Sequence, residues 1–553
     1  MAFLHGVEVL ELDGGPRPIS TVKSSVIGLV GAAAKGPINK PVLIAGSRKE
    51  AVKIFGKPTG DNTIPDFLDA IFDQAGAMVV VVNAFDRSKV NSDTMRKSAA
   101  AMPYQFKKVE YKLSDFTFNG DSLDLGYKHL SNIVVKSVDE KITYVEGKAY
   151  EITSTTPATE NSPASGNTIL KLKDGNGSLM SNAQVKVSFV RYEVELDHDY
   201  VSDVVLKKID GSKVYTDNTD YDVDEDKGVV IQVPSQGIKK EDKVLISYKY
   251  PDPTKAESND IRGKGSDTGI QALLGAESTV YATPRILLAP GFTGKLSADK
   301  QGFHSDDVSS DLVSIADRLR AIVVADGPST NDEDAKAYAA LQGSARLYLV
   351  DPNVKVPGAA NDEALIQPSS PRVAGIIAKS DNERGFWWSP SNRPVYGILG
   401  TDRAIDFTLG DSNARANLLN ENNVATIIRQ NGFRLWGNRS CSLDPKWKYI
   451  SVRRTADLIN DSLLRAHLWA VDRNITRNYV ESVVESVNRY LRSLKAMGAI
   501  IDGKCWADPE LNTPDQIMDG KVYFDFDFTP PYPAEHISFR SQMVDNYLKE
   551  VFA

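Results

Sequence analysis

Two stretches of alternating strand and helix pattern, separated by a region of about 160 residues without helical periodicity, constrain this chain more than any other feature. In the first, Ser25 to Ala33 is an apolar strand run and Pro41 to Ala45 (PVLIA) a second. Ser47-Arg-Lys-Glu50 is a capping box that opens a short helix through Phe55, closed by Gly56. Pro65 begins another helix, with Phe67, Leu68, Ile71 and Phe72 on its buried side. Met78 to Val82 is a continuous β-branched run, the pattern of a strand covered on both faces. The pattern resumes with strands at Ile286–Ala289, Ile322–Ala325 and Leu347–Val350, a helix over Val308–Leu319, and a helix capped by Asn331. Such alternation predicts an α/β core, a largely parallel sheet with flanking helices.

Between about 100 and 258 short alternating strands and Gly, Asn and Asp turns take over, and an internal repeat lies there. Ser131 to Ile152 matches Ser202 to Val223 without a gap at an offset of 71, sharing Ser, Val, Lys, Asp and two Tyr positions. Val185-Lys-Val-Ser-Phe189 likewise echoes Val244-Leu-Ile-Ser-Tyr248. We expect an inserted all-β region of two tandem modules. Asp457 to Met497 is mostly helical, with Ile459, Leu463, His467, Val471 and Ile475 recurring at i+4. Asn478 and Glu481 suggest the cap of a second helix, ended by Gly498. Val522 to Thr529 alternates as a half-buried strand and is stopped by Pro530, Pro531 and Pro533.

The expected organisation is an N-terminal arm (1–20), a discontinuous α/β domain (21–95 with 259–394) and inserted outer β modules (96–258). A C-terminal α+β inner domain (395–529) and a C-terminal arm (530–553) complete it. Gly6, Val7, Glu8, Val9, Leu10, Glu11 and Leu12 form a short strand cut off by Asp13-Gly-Gly-Pro16, so it has no local hairpin partner. Its backbone groups must pair either in the chain's own sheet or in another subunit's.

Known chemistries find little support. The formal charge of -8 argues against nucleic acid as a main partner. Two cysteines cannot build a disulfide framework, and the start has no secretion-signal pattern. The longest strongly apolar run, Val26 to Ala34, is far below the roughly 20 residues that span a bilayer. Production in a reducing cytoplasm is expected, with exit only by lysis or inside a larger particle. The string nearest a phosphate loop, Ala289 to Leu296, has the wrong first residue and Leu after its Lys. The six histidines are scattered, which speaks against zinc, and His467 reads as a core residue. Gly410-Asp-Ser412 resembles an esterase nucleophile block but lacks a late D-x-x-H, so Asp411 or Ser412 reads as a helix cap. Asp220, Asp222, Asp224 and Asp226 mimic a calcium loop without its Gly and Glu, and read as a solvated turn. No catalytic residue, cofactor or metal is expected.

Four strings rich in Arg, Trp and Gly remain: Ser370–Gly375, Asp381–Asn392, Gly432–Gly437 and Pro445–Thr455. They suit either subunit interfaces or one domain's buried aromatic core. With HGVEVLELDGGPRPI (5–19), VIGLVGAAAKGPINKPVLI (26–44), RILLAPG (285–291), NGFRLWGNR (431–439), DPKWKYISVRRTADLI (444–459) and PAEHISF (533–539), they resemble the contractile tail sheath proteins of bacteriophages and related phage-tail-like particles. The resemblance covers residues 1–90 and about 265–553, and leaves out the β insertion.

The resemblance implies a structural subunit that polymerises as stacked hexameric rings, a helical sheath around an inner tail tube. A baseplate signal releases an extended form, which contracts and drives the tube through a cell envelope. It also implies strand-exchanging arms, for which Gly6 to Leu12, Val522, Phe524, Phe526, Phe528, Ile537 and Phe539 are the candidates. Arg473, Arg477, Arg489, Arg492 and Lys495 are candidates for tube contact, a solvated helix face being the other reading. Partners would be further copies, the tube protein, and baseplate and tail terminator proteins, without nucleic acid or membrane insertion. Assembly would take place in the host cytoplasm and the mature location would be the virion tail. The rival readings are a β-rich surface decoration or adhesin, an enzyme on the α/β domain, and the tube protein itself.

Overall fold

A computed structural model describes residues 19–90, 92–156, 165–173, 179–233, 237–239, 242–265, 267–299, 302–305, 307–358 and 363–552. In chain order the main elements begin with β1 (Ile27–Gly31), β2 (Val42–Ala45), α1 (Arg48–Phe55), α2 (Ile64–Phe72) and β3 (Met78–Asn83). The insertion carries β4 (Arg96–Gln105), β5 (Lys107–Thr117), β6 (Ser131–Ser137), β7 (Gln184–Glu195), β8 (Ser202–Lys208) and β9 (Lys243–Pro251). Then come β10 (Ile286–Leu288), α3 (Asp307–Leu319), β11 (Ile322–Asp326), α4 (Asp332–Gln342), β12 (Leu347–Val350) and α5 (Ser370–Arg384). The last part holds β13 (Arg393–Pro394), β14 (Val424–Arg429), β15 (Phe433–Trp436), α6 (Ile450–Ala466), α7 (Arg477–Met497), β16 (Asp502–Ala507) and β17 (Phe524–Thr529).

A nine-stranded sheet runs β2-β3-β1-β10-β11-β12-β14-β15-β13. Strands β3 through β14 are mutually parallel, and β2, β15 and β13 are antiparallel additions at the two edges. One face is covered by α1, α2 and α5, through Phe55, Phe67, Ile376 and Ile377, and the other by α3 and α4, through Leu312, Ile315 and Tyr338. Close approach of α2 and α5 depends on Gly375, where a Cβ would lie 2.8 Å from the Ile71 carbonyl oxygen. The sheet does not end at residue 394 as expected. β14 and β15 join it: β14 pairs with β12 at Leu349↔Val424 and Val350↔Ala425 and with β15 from Thr426 to Arg429, and Val424–Ile428 is buried between the two cores.

The insertion leaves after β3 and returns on β9, which pairs with β4 from Arg96↔Pro251 to Gln105↔Lys243, so its ends are adjacent. The repeat is real in three dimensions. Ser137 faces Val185 between β6 and β7, and Lys208 faces Val244 between β8 and β9. The modules are nested, however, rather than tandem. β4 belongs with the second module's strands, while β5 pairs along β7 from Thr117 to Lys107. The twelve-residue β7 contributes Val185, Val187 and Phe189 to one core and Val194 to the other. The insertion is fixed to the α/β body by Arg87, whose side chain is almost fully buried. Its Nη1 donates to the Ala33 carbonyl at 2.9 Å and its Nη2 to Asp199 at 2.9 Å.

The expected long i+4 run breaks at Ala466. His467 caps α6, its imidazole bonded to the Leu463 carbonyl and Ser486, and Val471 is exposed. Thr476, not Asn478, caps α7, accepting from the Tyr479 N–H at 3.2 Å. Helix α6 is tied to the body by three acid–base contacts one helical turn apart. Arg454 pairs with Asp381 of α5, Asp457 with Arg346 before β12, and Asp461 with Arg285 before β10. All six side chains are buried or nearly so, and such pairs hold a unique geometry because breaking one leaves a charge without water.

Candidate assembly surfaces

The C-terminal hairpin pairs β16 with β17 from Asp502↔Thr529 to Ala507↔Phe524. Phe524, Phe526 and Phe528 turn inward, half-buried against a cluster that holds Val487, Tyr490, Leu491 and Leu494 of α7. These three rings therefore anchor the hairpin to its own body, and what they leave to a partner is backbone. Val522 lies before the strand, because Asn512 takes the N–H and C=O of Tyr523 at 2.8 Å each. On the β16 edge the Asn488 amide takes both polar groups of Cys505, at 2.8 and 2.9 Å. The β17 edge has no strand partner beyond β16 among the described residues. On its outer face Asp525 hydrogen-bonds Asp508, and that contact raises the Asp525 carboxyl, while the Leu511 and Glu510 N–H groups hold Asp508 low.

After Thr529 the chain runs to Asp545 without regular structure. Pro530 is buried and the Tyr532 ring packs edge-on against Tyr449, and beyond them Glu535 makes the polar anchor. Glu535 receives Nε and Nη2 of Arg439 at 2.6 and 2.7 Å, and Lys448 Nζ and the Tyr449 hydroxyl at 3.2 Å each. Burial alone would raise this carboxyl, but Arg439 and Lys448 outweigh it and hold it below the usual carboxylate range. Beyond the anchor Ile537 is 69% and Phe539 95% exposed.

The outer face of α7 is charge-balanced rather than basic. Arg477 pairs with Glu481 at 2.9 Å, Arg492 with Glu485 at 2.6 Å, and Lys495 with Asp502 at 2.7 Å. Arg473 lies over the Trp469 ring, 5.1 Å from its centroid. Arg489 is exposed and has no carboxylate partner among the described residues. The strand expected at Gly6 to Leu12 lies outside the described residues. The chain enters at Ile19, which with Val22 packs on the α7 cluster, and Thr21 meets the Tyr490 hydroxyl at 3.0 Å.

The other sequence candidates serve the fold. Asp220 accepts from the Thr216 and Gly237 N–H groups, and Asp222 from Lys128 and His129, and both are buried rather than solvated. Ala414, not Asp411 or Ser412, caps the helix Arg415–Glu421. Of the aromatic and arginine strings, Arg372, Phe386 and Arg454 are buried in the chain's own body, whereas Trp388 is exposed. The sequence reading missed Glu535 as an anchor and the Asp457 and Asp461 contacts. The i, i+3, i+7 spacing of Arg454, Asp457 and Asp461 was the visible signal. Among the described residues no group of three or more His, Cys, Asp or Glu could hold a metal ion, and no helix is long and apolar enough to cross a membrane.

Profiles of three regions of one family match the chain. The tail sheath protein Gp18 domain III N-terminal region matches residues 24–84, the phage tail sheath protein central domain 268–441, and the phage tail sheath C-terminal domain 442–544. A prophage major tail sheath protein of Pseudomonas aeruginosa is 45% identical over 312 residues, 56% of this chain and 78% of that protein. This chain belongs to the phage tail sheath family. The tail sheath protein of Burkholderia phage BcepMu is 29% identical over 564 residues, 99% of this chain and 98% of that protein, so it spans the insertion as well. The fold is similar to that of the anti-feeding prophage helical sheath in its contracted state, with a TM-score of 0.52, 15% identity, and 98% and 100% of the two chains covered. The tail sheath chain described here is thus a structural subunit of a contractile sheath.

Proposed function

We propose that this sheath subunit polymerises as stacked hexameric rings around an inner tube, and that contraction of the lattice drives the tube through a cell envelope. The observation that carries this reading is the C-terminal tail, held by Glu535 and then exposing Ile537 and Phe539 with nothing among the described residues to cover them. A neighbour's hairpin edge is a fitting acceptor, because strand addition supplies several main-chain hydrogen bonds at roughly 1 kcal/mol each. The arms, residues 1–20 and 530–553, link copies, and the breaks at Asp13–Pro18 and Pro530–Pro533 serve as hinges. Arg489 and the α7 face beside it meet the tube. Baseplate and terminator proteins close the two ends, assembly takes place in the host cytoplasm, and the mature site is the virion tail. The subunit works without enzymatic chemistry. Two packings that differ in buried area supply the energy, at about 25 cal/mol per Å2 summed over many copies.

The test is negative-stain microscopy of the purified chain and of a variant lacking residues 1–20. Hollow cylinders from the full chain and folded, non-polymerising monomers from the truncation are expected. Normal cylinders from the truncated chain would reject the N-terminal arm.

A further inference from the structure

The loop 196–201, between β7 and β8, presses the insertion onto the α/β body. Its Asp199 meets Arg87, and His198 beside it lines a cavity of about 230 Å3 between the two parts. The far wall belongs to the body, to Lys35 after β1, to Phe55 and Gly56 at the end of α1, and to Asp61. Surfaces apposed around such a space hold each other less tightly than a filled core does. His198 moves with the insertion. Its ring stacks on Tyr250 of β9 with centroids 3.6 Å apart, and its Nδ1 lies 2.8 Å from the Tyr248 hydroxyl. A Cβ at Gly228 would lie 1.8 Å from the His198 carbonyl oxygen, so the backbone there is closely packed as well. Hydroxyl groups set the tautomer of the ring. Tyr104 of β4 donates to Asp197 at 3.1 Å, and Tyr248 is hydrogen-bonded to Tyr104. With the Tyr104 hydrogen committed to Asp197, Tyr248 donates to Tyr104 and the His198 Nδ1–H donates to Tyr248. A second proton therefore enters at Nε2, which has no hydrogen-bond partner among the described residues. Three ion pairs surround the ring, and each crosses from body to insertion: Lys35 with Glu195 at 3.0 Å, Asp61 with Lys97 at 2.7 Å, and Arg87 with Asp199 at 2.6 Å. Lys57 adds a further positive charge on the cavity wall. Burial lowers the His198 pKa to about 4; Asp197 pulls it up, while Lys35, Lys97 and Arg87 push it down.

We propose that this joint is an acid-released latch, in which a proton on His198 drives the insertion off the α/β body while each part stays folded. Separation takes Lys35 and Arg87 away from the ring and lets water reach Nε2, so the open joint accommodates the charge that the closed joint resists. A hydrated histidine titrates near its ordinary 6.5, and the open state therefore binds the proton more tightly than the closed one. Closure is complete at neutral pH and weakens as pH falls from about 6.5 towards 4. The Asp199 carboxyl opposes this from the acid side. Burial raises it in spite of Arg87, so the closed joint takes its proton more readily, and acid below the histidine range no longer favours release. The latch thus answers to mild acid. The insertion leaves and re-enters the body at neighbouring points, on β4 and β9, so it can swing at its root without unfolding either part.

Hydrogen exchange of the full chain at pH 7 and pH 5 tests the latch, with each measured rate divided into the intrinsic rate at the same pH. Protection in the loop 196–201 and in the facing segment 55–63 should fall about twentyfold between the two, the ratio set by values of 6.5 and about 4, while β11 and β12 keep theirs. His198→Phe keeps a ring on Tyr250 and cannot take the proton, so its protection should change less than threefold. The histidine ring resonances give a second readout that needs no variant of His198. One of the six should titrate below pH 5 in the full chain and move towards 6.5 in Arg87→Ala, where the joint has lost a contact. Equal protection at both values of pH overturns the proposal, as does a wild-type response in His198→Phe. A matching loss in β11 and β12 also overturns it, since the chain would then be unfolding as a whole. Six histidines that all titrate near 6.5 leave the joint without its sensor and do the same.

Discussion

Glu535 and Arg439 form a two-pronged carboxylate–guanidinium pair, Nε to Oε1 at 2.6 Å and Nη2 to Oε2 at 2.7 Å, across 96 residues of sequence. Everything C-terminal to that pair leaves the body, and everything before it belongs to the hairpin and its support. Because Arg439 and Lys448 hold the Glu535 carboxyl below its ordinary value, the contact is complete above about pH 4.5, the usual Glu range, and is lost as pH falls through the lower folded value. Glu535→Gln should therefore speed limited proteolysis in 530–545 at neutral pH and remove its acid dependence, with a global stability change within about 1 kcal/mol. Unchanged cleavage would mean that the tail is held elsewhere.

The Arg454–Asp381 pair joins α6 to α5 with side chains 4% and 1% exposed. Removing one partner strands a charge away from water, so Asp381→Asn should cost about 3–5 kcal/mol. Thermal unfolding of the monomer measures this, and a loss below about 1 kcal/mol would show that water reaches the pair.

Asp326 caps α5 from the end of β11, accepting from the Ser370 N–H at 2.7 Å and its hydroxyl at 2.6 Å. Burial pushes its carboxyl up to about 6, more than the hydrogen bonds from Ser370, Ser369 and Gly291 pull it down. The folded state thus binds a proton more tightly than the unfolded state does. Stability contributed here is complete below the unfolded value near 4 and is lost as pH rises to about 6, by up to about 3 kcal/mol. Asp326→Asn should flatten the stability profile between pH 4 and 6 in denaturant titrations, and an unaltered profile would exclude this group as its source.

Arg87 joins the insertion to the body through Asp199, Ala33 and Gly36. Arg87→Ala leaves the half-buried Asp199 carboxylate and the Gly36 carbonyl open, while the Ala33 carbonyl keeps the Asn83 amide. Hydrogen exchange in β4 and β9 should then rise by at least about tenfold while β11 and β12 keep their protection. Equal protection in both variants would mean that the two regions are joined by packing alone.

Arg489 projects from α7 without a carboxylate partner among the described residues, so Arg489→Glu should shift monomer stability by less than about 0.5 kcal/mol. Co-sedimentation with the inner tube should nevertheless fall several-fold. Undiminished co-sedimentation would remove this residue from the tube contact.

Local signals carried the α/β reading a long way. Ser47 accepts from Glu50, Asn331 accepts from Asp334, and Gly498 closes α7, each a contact within four residues whose chemistry is written in adjacent letters. The 71-residue repeat was legible for the same reason, since β6 and β8 each keep the same apolar spacing.

Tertiary structure alone decided the rest. Periodicity states which face of a strand is apolar, but not which distant strand covers it. Burial of Val424–Ile428 beside β12 set the extent of the sheet, and pairing of β4 with β9 made the modules nested. Glu535 carries no local mark of its role, because Arg439, Lys448 and Tyr449 converge on it only after folding. The amino-acid order by itself determined the elements and the loose ends, through interactions a few residues long. The folded body determined where those ends are held and which edge stays open, through buried charges and pairings whose partners lie from 73 to 176 residues apart.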